Sequence, residues 1–517
     1  MAINPADYFK KVIAHCKEYG FIFPSSEIYD GLSAVYDYGP YGAELKNNIK
    51  TYWWKAMVQM HENIVGLDSA IFMHPKVWKA SGHVDAFNDP LIDNKDSKKR
   101  YRADVLIEEY LGKIDDKIEK EVEKAAKRFG ENFDAELFRN TNPRVQEYAE
   151  KRRQLSDRYV KAATENDLAE YKKIIEDCEI ADPETGSRNW TDVRQFNLMF
   201  ATQFGALAGS ESEDTKVYLR PETAQGIFVN FLNVQKSTRQ KIPFGIAQIG
   251  KAFRNEIIAR QFIFRMREFE QMEMQFFVRP GTEMEWYNYW KDARMRWHRN
   301  VFPAEKLRYH DHEKLAHYAN AAVDIEFEFP FGFKELEGIH SRTDFDLGEH
   351  QKLSGRKQQY HDPEIDQKYV PYVVETSVGV DRMFLATVAT ALCEEAVPDA
   401  KGEEAVRTVM KIHPVLAPIK IAVLPLVAKE QLTNLARDIF NRLKFSTQCQ
   451  YDEKDSIGRR YRRQDAIGTP YCVTVDFETL EDNCVTVRDR DTLQQVRLPI
   501  TELEKHVAKV LNFNSLL

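Results

Sequence analysis

The chain has 517 residues, 12% of them aromatic, and a formal net charge of −8. That length carries about two to four domains with real cores, and the aromatic content excludes a disordered chain. The acidic balance excludes a generally basic nucleic-acid coat and leaves room only for a local basic patch.

From the N-terminus, the first twenty residues hold Asp7 and Glu18 and no long apolar run, and the first arginine is Arg100. Neither a secretory signal nor a transit peptide is expected. The turn-like YDYGPYGAEL (36–45) leads into a helical KNNIKTYWWKAMVQM. Residues 105–178 are dense in Lys, Arg and Glu. Leu111, Ile114, Ile118, Val122, Ala125 and Phe129 recur three or four apart, and Leu168, Tyr171, Ile174, Ile175 and Cys178 form a second stripe. This predicts a charged helical insertion, its plain reading being solvated helices without chemistry. Strand signals fill 190–390, and a break is expected near 394–418. IKIAVLPL then reads as a buried strand. The next helix shows one apolar face of Leu432, Leu435, Ala436, Ile439, Phe440 and Leu443, and YCVTVDF, NCVTVRDR and ITELEKHVAKVL follow. Alternating strand and helix predict a small α/β domain over 411–517. The six cysteines, Cys16, Cys178, Cys393, Cys449, Cys472 and Cys484, show no CxxC pair. A reducing, cytoplasmic setting fits them, and no segment is long and apolar enough to span a bilayer.

The stretch FRNEIIARQFIFRMREFEQMEMQFF, Phe253 to Phe277, fits both a helix and a strand pair by periodicity. Read as strand–loop–strand, it puts Arg254 and Glu256 on one face of the first strand. Arg267, Phe269, Gln271 and Glu273 share one face of the second, with Met266, Met272, Met274 and Phe276 behind. Such arginines pair with neighbouring glutamates, or they bind phosphate in a bidentate fork beside a stacking ring.

FRNE followed by a loop and REF resembles motif 2 of the class II aminoacyl-tRNA synthetases. SVGVDR resembles motif 3, and the YGPYG region with Pro40 resembles motif 1. Together with SGHVDAFNDP, VRQFNLMF, LRPETAQGIFVNF, SRTDFDL and YRRQDAIGTPYCVTVDF, these stretches resemble the homodimeric (α2) glycyl-tRNA synthetase family. They run in order from near residue 20 to near residue 500. The resemblance implies an α/β (α+β) fold with a class II catalytic core over 1–104 and 179–410. That core is an antiparallel sheet flanked by helices. The helical insertion occupies 105–178, and 411–517 is an anticodon-binding domain. The implied reaction is ATP-dependent attachment of glycine to tRNA(Gly) through a glycyl-adenylate, with ATP and Mg²⁺ as cofactors.

The same resemblance implies residue roles. Arg254 contacts the α-phosphate of ATP and the amino-acid carboxylate, Glu256 the adenine amino group, and Arg382 adenine and the γ-phosphate. Asn255 belongs to the ATP site with them. So do the loop Phe264, Arg265, Met266, Arg267, Glu268 and Phe269, with Phe269 as stacking ring, and Gly379, Val380 and Asp381 of motif 3. Glu335 and Leu336 match an ATP-binding pair, Glu335 being the expected Mg²⁺ ligand. Carboxylates Glu222, Glu273 and Glu375, helped by Ser377, are implied at the glycine ammonium, since packed carboxylates call for a cation. Arg102 and Arg220 match cationic positions near the substrate. Phe269, Glu270, Gln271, Met272, Thr376, Val378 and Gly379 complete the implied glycine site. No general base is assigned.

Some bacterial relatives carry two cysteine pairs that resemble a zinc ribbon. Here the places read NKDSKK (94–99) and DPETGS (182–187), so no structural zinc is expected and packing or Asp, Asn and Thr groups must hold the loops. In the tail, RRYRR makes Arg459, Arg460, Arg462 and Arg463 candidate tRNA contacts, against a solvated basic turn. A homodimer without membrane attachment is implied. Two other readings stay open: a catalytically silent nucleic-acid-binding relative, and a class II ligase for threonine, proline or histidine.

Overall fold

The computed structural model describes the chain except residues 1–3, 131–132, 206–214, 258–260, 313–314, 316–318, 399–403, 513–515 and 517. It divides into two compact units. One comprises Met1–Ser81, Phe200–Arg254 and Ala259–Leu517, and the other Gly82–Met199 with Asn255–Ile258.

The larger unit is built on a seven-stranded sheet. Its strands are β1 (Ile64–Gly66), β2 (Phe244–Phe253), β3 (Glu268–Val278), β4 (Leu307–Asp311), β5 (Ala321–Phe329), β6 (Gly332–Thr343) and β7 (Tyr372–Gly379). Their order is β4-β5-β6-β7-β3-β2-β1. Neighbours are antiparallel except the edge pair β1–β2, which is parallel. The principal helices are α1 (Pro40–Trp54), α2 (Ala224–Thr238), α3 (Glu283–Arg299) and α4 (Val380–Ala391). Strand alternation sorts the side chains. Met272, Met274 and Phe276 of β3 enter the main core with Leu45, Ile49 and Trp53 of α1, Trp290 of α3 and Phe384 of α4. Each such burial contributes about 1.5–3 kcal/mol. On the opposite face Phe228 and Phe231 of α2 pack on Ile246, Phe244 and Phe277. The rest of that face is polar.

The motif 1 turn has a steric cause. Pro40 starts α1 where its missing N–H costs nothing. At Gly42 a Cβ would collide with the Phe21 carbonyl.

The expected break at 394–418 is instead largely a β-hairpin, Leu392–Pro398 against Glu404–Met410. Its charged residues find partners: Arg407 reaches Glu395 at 2.6 Å and Asp465 at 3.0 Å. The tail beyond it has a five-stranded sheet in the order Cys449–Tyr451, Ile421–Pro425, Tyr471–Val475, Cys484–Asp489, Gln495–Pro499. The first two pairings are parallel and the last two antiparallel. Helix Glu430–Leu443 buries Leu432, Ala436, Ile439 and Leu443 on it.

In the smaller unit the charged helices do not stand alone. Helices Ala103–Phe129, Ala135–Thr141, Pro143–Glu165 and Leu168–Asp177 share a unit with strands Asn88–Asp93, Arg100–Arg102 and Arg194–Asn197. The predicted stripe buries Leu111, Ile114, Val122 and Ala125, while Phe129 at the helix end is exposed. Asn142 and Asp167 cap the last two helices, their side-chain oxygens accepting from backbone N–H groups. The loops at 94–99 and 182–187 are tied by side chains. Asp182 accepts from Ser97 Oγ at 2.6 Å, Tyr101 Oη at 2.8 Å and the Glu184 N–H at 2.8 Å. Asp96 accepts from Ser187 Oγ at 2.5 Å and Asn189 Nδ2 at 2.9 Å.

Candidate active site

The strand–loop–strand reading of 253–277 holds, with a correction at each strand's inner end: β3 begins at Glu268, so Arg267 precedes it. β2 ends at Phe253, so Arg254 and Glu256 begin the loop rather than sharing a strand face. The register of β3 then brings polar residues from four strands into rows. Gln248 of β2, Glu273 of β3, Ser377 of β7 and Gly338 of β6 lie side by side. Gln275, Glu375 and His340 form the next row, and Gly250, Gln271 and Gly379 the row on the other side. The glycines let neighbouring side chains close in: a Cβ at Gly338 would press on the His340 ring.

Glu375 is fully engaged. It accepts from His340 Nδ1 at 2.9 Å, Arg342 Nη1 at 3.1 Å and Gln275 Nε2 at 2.6 Å. Burial disfavours its charge, but Arg342 and His340 outweigh burial and hold its carboxyl well below the usual range. Burial also works against a charged His340 ring, and Glu375 lifts the ring above its ordinary value. Asp346 anchors Arg342 through two bonds at 2.8 and 3.1 Å. Glu273, 2% exposed, has the Thr223 hydroxyl and the Gln275 amide, the latter at 2.9 Å. Burial first, then the charges of Glu375 and Glu222, push its carboxyl well above the usual range. Glu222 accepts from Gln225 Nε2 at 3.0 Å. Arg220 is buried and bonded to the carbonyls of Lys251 at 2.6 Å and Ser69 at 2.8 Å. A Cβ at Gly250 would run into its guanidinium.

At the loop end of the hairpin two arginines lie over rings. Arg254 sits 5.2 Å from the Phe269 ring centre and donates from Nε to Pro221 O at 3.1 Å. The Arg254 N–H donates to Arg267 O at 2.9 Å and so closes the loop. Arg382 lies 4.4 Å from the Phe264 ring centre and pairs with Glu335 at 3.0 Å. Its charge is the leading cause of a lowered Glu335 carboxyl, and that carboxylate is about half exposed at 49%. Arg265 and Glu268 are half-buried beside them. Arg267 is turned to another task, donating from Nη1 to Ser33 O at 3.2 Å.

Strand parity turns several of the expected site residues elsewhere. Met272, Thr376 and Val378 face the main core, opposite the carboxylates. Glu270 shares that far face and pairs with Lys46 and Lys50 of α1, both at 3.2 Å. Asp381 accepts from Lys46 at 2.9 Å and from the Glu270 N–H at 2.8 Å, and so pins α4 to the sheet. Met266, Leu336 and Val380 are core residues. Asn255 and Glu256 follow β2 in the loop and are half-buried. Arg102, on strand Arg100–Arg102 of the smaller unit, pairs with Asp104 at 2.5 Å and Asp89 at 3.1 Å.

RRYRR lies on helix Ile457–Ile467, not on a turn. Arg460 faces the sheet, 1% exposed, and donates to the carbonyls of Pro425 at 2.6 Å, Leu426 at 3.0 Å and Asp452 at 3.1 Å. Arg463 pairs with Asp452 and Asp455, both at 2.6 Å. Arg459 and Arg462 are exposed.

Sequence reasoning missed Thr223, Gln248, Gln275, His340, Arg342 and Asp346. The signal was present in GIHSRTDFD, where His340 and Arg342 are two apart and therefore share a strand face.

Three family models match the chain. Residues 89–198 match the glycyl-tRNA synthetase insertion domain 1. Residues 207–391 match the class II core domain of the G, H, P, S and T synthetases, and 420–510 the anticodon binding domain. Curated relatives named glycine–tRNA ligase include that of Staphylococcus haemolyticus, 51% identical over 505 residues, covering 97% of this chain and 98% of the relative. That of Chlorobaculum tepidum is 50% identical over 503 residues, covering 97% and 99%. That of Staphylococcus aureus strain JH9 is 49% identical over 505 residues, covering 97% and 98%. The sheet, the three matched segments and the near-complete overlap agree: the chain belongs to the glycine–tRNA ligase family of class II aminoacyl-tRNA synthetases.

Proposed function

We propose that the polar face of the seven-stranded sheet carries out the family reaction. The enzyme joins glycine to tRNA(Gly) at the expense of ATP, through a glycyl-adenylate, releasing pyrophosphate and AMP. The observation that carries the reading is the carboxylate cluster Glu222, Glu273 and Glu375 at the polar face of the sheet, together with two ring-backed arginines, Arg254 and Arg382, at the loop end of the hairpin. The carboxylates hold the ammonium of glycine. Arg254 faces the reacting carboxylate and α-phosphate and offsets the charge that develops there. Phe269 and Arg382 take the adenine, with Arg382 also reaching the outer phosphates. Glu335 is the carboxylate that would help hold a Mg²⁺ arriving with ATP, since Mg²⁺ takes few protein ligands beside phosphate. The ion would draw off negative charge from the leaving pyrophosphate. Positioning and electrostatics supply the rate enhancement.

A homodimer fits the apolar side chains of the turn before α1. Ile28, Tyr29 and Leu32 are 87%, 79% and 57% exposed, an unusual concentration for a free surface. Arg459 and Arg462 are the tail arginines best placed for tRNA. Six free cysteines fit the cytoplasm, and among the described residues no helix is long and apolar enough to cross a membrane.

Glycine-dependent ATP–pyrophosphate exchange tests the activity. Exchange with another amino acid and not with glycine refutes the substrate, and no exchange with any refutes the enzyme. Light scattering tests the dimer, and a monomer at micromolar concentration removes that part.

A further inference from the structure

The carboxylates of the candidate ammonium site do not have equal partners. Both oxygens of Glu375 are taken, by His340 on one and by Arg342 and Gln275 on the other. Glu273 has neutral partners instead, the hydroxyl of Thr223 and the side-chain amide of Gln275. The Gln275 amide thus bridges the two acids, at 2.9 Å from Glu273 and 2.6 Å from Glu375.

The charged groups around Glu273 come from several elements. Glu222 precedes α2 and adds negative charge, and Glu375 lies beside it on β7. Arg220 exerts a favourable field, but its guanidinium is bonded to the carbonyls of Lys251 and Ser69 and its field is shared with Asp68. Arg342 and His340 on β6 are spent on Glu375, and Asp346 on Arg342. His350 donates to Gln225, whose amide bonds Glu222 and Asp346. Two ionised acids sharing one amide in a buried site repel strongly, so one of them holds a proton.

We infer that Glu273 carries a proton in the empty site and gives it up as the glycine ammonium arrives, with Gln275 and Arg342 as the positioning residues that decide which acid holds it. This rests on the reading of the cluster as the ammonium site. The step balances: the Glu273 O–H bond breaks, the proton passes to solvent, and the carboxylate left behind pairs with the incoming –NH₃⁺. Arg342 keeps Glu375 ionised, so of the two acids that share the Gln275 amide one presents a fixed and the other an inducible negative charge. The upward push on the Glu273 carboxyl is consistent with this. Glycine affinity then rises with pH up to the value at which the empty site ionises, by up to about tenfold per pH unit.

The test is calorimetry of glycine binding to the full chain near neutral pH, with a non-hydrolysable ATP analogue and Mg²⁺, in buffers of different ionisation enthalpy. The expected result is release of about one proton per glycine. Glu273→Gln removes the release, and Arg342→Met reduces it because the proton is then shared with Glu375. Infrared difference spectra of the unmutated protein supply a check that needs no variant. The carbonyl stretch of a protonated carboxylic acid disappears when glycine binds. Binding without proton release and without that loss overturns the inference alone. The absence of any glycine binding overturns the ammonium site, and the inference with it.

Discussion

Arg460→Ala separates a structural arginine of the tail from the two proposed to meet tRNA. The side chain is buried and its guanidinium serves the carbonyls of Pro425, Leu426 and Asp452. Each buried carbonyl left without a donor costs about 1–3 kcal/mol, and bonds from a charged donor are at the strong end. The bonds to Leu426 O and Asp452 O are only part-buried, so we expect a loss of about 3 kcal/mol rather than the full sum. That is roughly a hundredfold increase in the opening of the tail domain. Amide hydrogen exchange in strands Ile421–Pro425 and Tyr471–Val475 reads it directly. Arg459→Ala, on a side chain 76% exposed, leaves exchange unchanged. It instead lowers the salt dependence of tRNA binding by about one phosphate contact. The reasoning is refuted if Arg460→Ala weakens tRNA binding while the tail strands keep their protection.

Arg254→Ala lowers ATP–pyrophosphate exchange by about a hundredfold or more with the melting temperature unchanged, because its bond to Pro221 O is replaceable by water. Retained exchange removes it from the reaction. Asp182→Asn weakens the 94–99 and 182–187 loops by about 1–3 kcal/mol, read as lost exchange protection. Burial opposes the charge of Asp182, but its donors hold the carboxyl down to about 2. Its contribution is complete above the ordinary carboxyl value and fades as pH falls towards about 2. A chelator leaves the protection of these loops unchanged. Lys420 is buried with its amine on Val415 O, and burial drives it down to about 7. The unfolded chain therefore binds a proton that the folded chain does not, which penalises folding below about pH 10. Lys420→Met raises the melting temperature, most below pH 7, and the gain shrinks as pH rises towards 10; an equal gain at every pH contradicts this.

What the sequence revealed followed from local periodicity. The tail helix Glu430–Leu443 buries four of its six predicted apolar residues fully, with Leu435 and Phe440 at the margin. The hairpin in 253–277 was decided by chemistry and resemblance, since its periodicity fits helix as well. The site was less legible because a motif is a run of neighbours, whereas a strand sends neighbours to opposite faces. Glu375 and Ser377 face the site while Thr376 and Val378 face the core. Gln248, Gln275 and His340 are far apart in sequence and meet only through cross-strand register. Arg460 misled for the helical form of the same reason: in RRYRR, Arg460 and Tyr461 turn to the sheet while Arg459 and Arg462 stay exposed.

The tie between residues 94–99 and 182–187 is made of hydroxyl, amide and carboxylate groups. A knot of this kind offers oxidants no thiol to attack. The exposure it accepts in return is to acid, since Asp96 and Asp182 must stay ionised for the loops to remain closed.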